Sequence, residues 1–80
     1  MQSLPVRLCP QQDLRGALET LLSEHTVEAA FVLQGIGSLG VARMRFAGMS
    51  EATELRGDME ILTLSGSLSP GGAHLHMTVA

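Results

Sequence analysis

Aromatic residues are nearly missing from this chain: it has two phenylalanines, Phe31 and Phe46, and neither tryptophan nor tyrosine. A core built from it must therefore be aliphatic, drawing on leucine, valine, isoleucine, methionine and alanine. Lysine is absent altogether, and all five cationic side chains are arginines against eight acids, for a net charge of −3. That balance is the opposite of the basic footprint of a nucleic-acid binder. One cysteine, Cys9, rules out an internal disulfide. No apolar run approaches the roughly 20 residues that span a membrane as a helix. Met1-Gln2-Ser3-Leu4-Pro5 lacks the charged and apolar regions of a secretory signal. These absences set the expected location as cytoplasmic, with no membrane partner. Eighty residues make one domain, spanning 1–80. A domain this small buries only about 60% of its unfolded surface and gains from association.

What is present concentrates between Gly57 and Val79. A leucine-rich run, Glu60-Ile61-Leu62-Thr63-Leu64, meets the turn signal Ser69-Pro70-Gly71-Gly72. An alternating His74-Leu75-His76-Met77-Thr78-Val79 run follows. The two runs are expected to pair as an antiparallel hairpin, with Ser67 facing His74, Ser65 facing His76 and Thr63 facing Thr78. That register puts Leu62, Leu64 and Leu68 on the core face with Leu75, Met77 and Val79. His74 and His76, two apart, share the polar face. There they either hold a divalent ion such as zinc, through imidazole nitrogens at about 2.0–2.1 Å, or bond to neighbouring serines and water. Two ligands are too few for a site, so His25, Cys9, Glu60 or Asp58, or another subunit, would have to contribute. No other cofactor is expected, and no catalytic residue is assigned.

Earlier in the chain, Pro5–Cys9 reads as a short strand. Asp13 reads as the N-cap of a helix over about 13–25, with Leu14, Ala17, Leu18, Leu21 and Leu22 at i, i+3, i+4, i+7 and i+8. Ala29–Gln34 reads as a buried strand. Gly35-Ile36-Gly37-Ser38-Leu39-Gly40 matches the G-x-G-x-x-G pattern, but the period-two run after it predicts a strand. The helix dipole on which dinucleotide binding depends is therefore not expected. Along Leu39–Phe46, Ala42, Met44 and Phe46 fall on one face, with Val41, Arg43 and Arg45 on the other. Arg43 and Arg45 could hold an anion bidentately or meet acids of a neighbouring strand. Gly57 is expected to mark a bulge in the strand that follows. The fold class is α+β: a mostly antiparallel sheet with one amphipathic helix.

Taken in order, these pieces resemble the plants-and-prokaryotes-conserved (PPC) domain found in AT-hook nuclear proteins of plants and in small prokaryotic proteins described as DNA-binding. Arg7-Leu8-Cys9-Pro10-Gln11-Gln12-Asp13-Leu14 is similar to the family's R-L-x-P-G-x-D-L. Ile36-Gly37-Ser38-Leu39 is similar to G-I-G-S-L, Gly57 to Leu62 to G-x-F-E-I-L, and Leu64-Ser65-Gly66-Ser67-Leu68 with His74-Leu75-His76 to L-S-G-S-L and H-L-H. The resemblance implies a non-enzymatic, oligomerising module, usually a homotrimer, linked to DNA-associated regulation. It implies partner contacts at Gly57, Glu60, Ile61 and Leu62, although Asp58 and Met59 stand where plant members have Arg-Phe. Relatives continue into further strands and a later histidine, so the chain reads as lacking the family's last strands. Gln11, at the family's glycine, reads as a change without chemical consequence. The rival reading is a metal- or small-ligand-binding protein, catalytic or not, built on the His74/His76 face.

Overall fold

The computed structural model describes residues 2–80. Its elements are a helix α1 (Leu14–Glu24) and four strands, β1 (Ala30–Val32), β2 (Gly37–Met44), β3 (Thr53–Ser69) and β4 (Gly72–Val79). The strands form one antiparallel sheet in the order β1-β3-β2, with β4 also paired to β3. Contacts gather in two compact units, Met1–Phe31 with Gly66–Leu75, and Val32–Ser65 with His76–Ala80.

In the first unit α1 forms where the apolar stripe predicts it. The Asp13 side chain accepts from the Gly16 N–H at 2.8 Å, satisfying one of the free donors of the first turn. Leu18 and Leu22 are buried on its inner face. The helix ends in a Schellman motif: Val27 N donates to Leu22 O and Thr26 N to Ser23 O. Thr26 occupies the left-handed position, φ 50°, where glycine is the usual residue. Pro5–Cys9 is not a strand. It is irregular and exposed apart from Leu8, because the turn at Pro10 brings the chain back on itself rather than onto a partner. In that turn Gln12 N donates to Cys9 O at 3.3 Å, and the Gln12 Oε1 accepts from Cys9 N. Gln11 has φ 75°.

Gln11 is thus a change with consequence. Its backbone takes a conformation that costs an ordinary L-residue about 1–2 kcal/mol and glycine almost nothing. Gln11→Gly and Thr26→Gly should each stabilise the protein by about 1 kcal/mol, part of the relieved strain being offset by the greater freedom of glycine in the unfolded chain. Thermal unfolding of the two variants tests this; a lower Tm for both would mean that neither backbone is strained.

The hairpin end of the first unit buries Leu68 and Ala73. Pro70 and Gly71 make a two-residue turn that sets Ser69 against Gly72, the register expected from the sequence. Glu19 Oε2 accepts from Ala73 N at 3.2 Å, tying α1 to the start of β4.

In the second unit β2 pairs with β3 from Gly37↔Ile61 to Met44↔Thr53, with a shift between Leu39 and Val41. There Gly57 and Asp58 lie opposite the single Gly40, so the bulge expected at Gly57 is present. Beyond it the hairpin register changes. Continued outward from the turn, it would set Ile61 against Ala80. Instead Glu60 exchanges both backbone hydrogen bonds with Ala80, at 2.9 and 3.0 Å. β3 has one residue more than β4 over that span, and its alternation slips. Leu64 and Leu68 are buried, then Ile61, while Leu62 and Thr63 both face outward. Leu62, expected in the core with Leu64, is 45% exposed. The β4 half of the expectation holds: Leu75, Met77 and Val79 are half-buried, and His74, His76 and Thr78 are exposed.

Two further expectations fail in this part of the chain. The strand expected to run to Phe46 stops at Met44, so Phe46 lies in the connecting loop, 49% exposed, rather than on the face it was expected to share with Ala42 and Met44. Ala29–Gln34 shortens to the three residues of β1 and is at best half-buried, with Phe31 at 74% exposure and Leu33 at 70%.

Candidate functional site

The second unit presents its chemistry on the β2–β3 hairpin. The central rungs carry alternating charge: Arg43 faces Glu54, and Val41 faces Arg56. Arg56 Nε lies 2.9 Å from Glu54 Oε2 on an exposed face. Glu54 thus lies across the ladder from Arg43 but bonds to Arg56 of its own strand. Arg45 lies one residue past the end of β2, so the period-two alignment with Arg43 does not extend to it. Both arginines are exposed, and among the described residues neither enters an ion pair.

At the other end of the same ladder is a shallow cleft. Ser38, Leu39 and Gly40 line it from β2, and Asp58, Met59 and Glu60 from β3, with Ala80 beside them. Ser38 faces Glu60 and Leu39 faces Met59 across the ladder. The bulge opens the cleft: two residues of β3 against one of β2 bend the strand and turn Asp58 outward. Leu39 and Met59 are half-buried, while Asp58 and Glu60 are exposed and, among the described residues, free of ion pairs. Sequence reasoning named Asp58 only as a possible additional ligand for a metal at His74 and His76, not as part of a cleft. Its signal was the glycine before it, which marked the bulge.

The residues assigned to partner contacts divide. Gly57 is in the bulge, φ 134°, Glu60 and Leu62 face outward, and Ile61 is a core residue at 6% exposure. Ile61 can support such a surface but cannot form it. His74 and His76 are exposed residues of β4. No group of three or more His, Cys, Asp or Glu that could hold a metal ion comes together among the described residues.

The apolar distribution is the other feature of the second unit. It buries Ala42, Ile61 and Leu64, and exposes Leu33, Ile36, Val41, Phe46, Met49 and Leu62, with Ile36 at 81%. The segment carrying Leu33 and Ile36 is held flat by Gly35. A β-carbon there would come within 2.8 Å of Leu64 Cδ2.

The family model of the Plants and Prokaryotes Conserved (PCC) domain matches residues 1–80, the whole chain. The chain belongs to this family. Among curated proteins it is similar to the Bifunctional protein GlmU of two Synechococcus strains, JA-2-3B'a(2-13) and JA-3-3Ab, at 49% and 47% identity over 76 residues. That stretch is 95% of this chain and 12% of the relatives, so the chain spans a small part of their length. Among solved structures it is similar to a hypothetical protein from Salmonella cholerae-suis, with a TM-score of 0.86 and 34% identity over 94% of this chain and 54% of that one. The α+β fold expected of a PCC domain is the fold observed, and no helix among the described residues is long and apolar enough to cross a membrane.

Proposed function

We propose that this PCC domain is a non-enzymatic, self-associating module, a homotrimer as the family resemblance implies. The observation behind this reading is that the second unit exposes six large apolar side chains and buries three. Scattered exposed leucines are ordinary, but several on one small unit mark an interaction surface. The magnitudes suit association. Covering six half-exposed side chains at about 1–2 kcal/mol each yields roughly 6–12 kcal/mol, against an association cost of about 4–15 kcal/mol. One or two residues would not suffice, whereas six together are of the size of that cost. Among the described residues β2 and β4 each have one partner strand, and an open strand edge favours pairing further. The small share of the GlmU relatives that matches fits a module carried within larger proteins.

Sedimentation velocity at micromolar concentration is the test. The chain should sediment as an oligomer, and Ile36→Glu should shift it toward monomer by at least tenfold in dissociation constant without lowering its Tm. A monomeric parent protein would overturn the reading.

The DNA-associated role implied by the family rests on Arg43 and Arg45, with Glu54 across from the first. A chain of net charge −3 that neutralises two phosphates should bind duplex DNA weakly. The slope of log K against log salt should be about −2. Nanomolar binding at physiological salt, or binding unchanged by Arg43→Ala with Arg45→Ala, would contradict this.

A further inference from the structure

The β2–β3 hairpin is electrically polarised. Its loop end carries Arg43, Arg45 and Arg56 with the acids Glu51 and Glu54, and the opposite end of the ladder carries Asp58 and Glu60 beside Ser38 with no cation. Six residues of β2 separate the Met44↔Thr53 rung from the Ser38↔Glu60 rung, about 20 Å along a strand. That is too far for the two ends to neutralise each other within one copy, since it is more than two Debye lengths at physiological salt. Glu54 already engages Arg56, but Arg45, Asp58 and Glu60 have no ion pair among the described residues. The loop end also carries Phe46 and Met49, 49% and 56% exposed. Met49 N donates to Phe46 O at 3.1 Å, closing a turn between them. The cleft at the other end is lined by the half-buried Leu39 and Met59 and the exposed Asp58 and Glu60.

We infer that the occupant of this cleft is the β2–β3 loop of a second copy of the chain, with Phe46 on Leu39 and Met59 and Arg45 against Asp58 and Glu60. The inference rests on the self-association proposed above and names the surfaces that carry it. Charge complementarity selects the occupant. The loop presents Arg45 next to Phe46 and Met49, with Glu51 at its far end, and the cleft is lined by Asp58 and Glu60 together with Leu39 and Met59. The two surfaces are different patches of one molecule, so the contact is heterologous and repeats from copy to copy until it closes a ring. The acids are needed in the cleft because a guanidinium brought into it loses water and must be met by carboxylate. Phe46 and Met49, which contribute nothing to the core of their own unit, gain a role.

Charge reversal tests this on the intact 80-residue chain. Arg45→Glu and Asp58→Arg, each measured alone by sedimentation velocity, should weaken association at least tenfold. The two combined in one chain should recover most of the lost affinity, because the reversed tip meets the reversed charge at position 58 at every contact while Glu60 still opposes it. Phe46→Ala should also weaken association, and raised salt should weaken the parent more than either single variant. Unfolding curves matching the parent show that the substituted positions leave the fold intact. Singles that associate like the parent, or a combined variant as weak as the two losses added together, would overturn the contact while leaving self-association standing. A parent that does not associate at all would overturn both.

Discussion

Gly66→Ala should cost the protein a large part of its stability. A β-carbon at position 66 would collide with the His74 carbonyl oxygen and lie 2.8 Å from Leu75 Cα. These are backbone atoms of the paired strand, so no rotamer change relieves the clash. The residue also has φ 152°, where a side chain is strained whatever the space. Overpacking costs about 1–3 kcal/mol and the backbone conformation about 1–3 kcal/mol more. The sum, roughly 2–6 kcal/mol, is a large part of the whole stability of a small domain, about 5–15 kcal/mol. The Tm should fall by about 15 °C or more. Gly40→Ala is the internal control: a β-carbon there meets nothing within 4 Å, and it should shift the Tm by only a few degrees. Similar losses for the two variants would mean that the approach of β3 to β4 at Gly66 is looser than it stands here.

That contrast separates what the sequence carries from what it hides. Features whose cause is local are readable. Asp13 caps a helix because its own side chain reaches the Gly16 N–H three residues on. Pro70 and Gly71 turn the chain between two period-two runs. Gly57 permits a bulge at a backbone angle that other residues resist. The glycine-rich run passes into β2 at Gly37 and no helix follows it, as the alternating residues after it imply. Features whose cause lies across the sheet are not readable in this way. Gly66 is required by atoms of β4, and Gly35 by the side chain of Leu64. Pro5–Cys9 has a strand's composition but no partner strand. Of the candidate residues, Arg43, Arg45, His74 and His76 are exposed as expected. The cleft beside Asp58 depends on which two residues of β3 oppose Gly40, and only the paired register shows that.

The slip between Ile61 and Leu64 is the sharpest instance, and it carries the other large effect. By alternation alone Leu62 belongs with Leu64 and Leu68, and Ile61 belongs outside. The structure reverses this pair: Ile61 is 6% exposed and Leu62 is 45%. The cause is the extra residue that β3 accommodates before Glu60 meets Ala80. Ile61→Ala should therefore destabilise the fold by about 2–4 kcal/mol, the transfer and cavity cost of an aliphatic side chain lost from a core. In a unit that buries only Ala42, Ile61 and Leu64, few neighbours can collapse into the space. Leu62→Ala should cost less than about 1 kcal/mol in the unfolding of the single chain, since the side chain is already half in water. Its effect should appear instead in association, because the residue lies on the outward face proposed to meet other copies. Denaturant unfolding of both variants at a concentration below that of assembly, followed by sedimentation at one above it, distinguishes the two roles. If Leu62→Ala proved the more destabilising in the dilute measurement, β3 would be running in the uninterrupted register, with Leu62 inside and Ile61 on the surface.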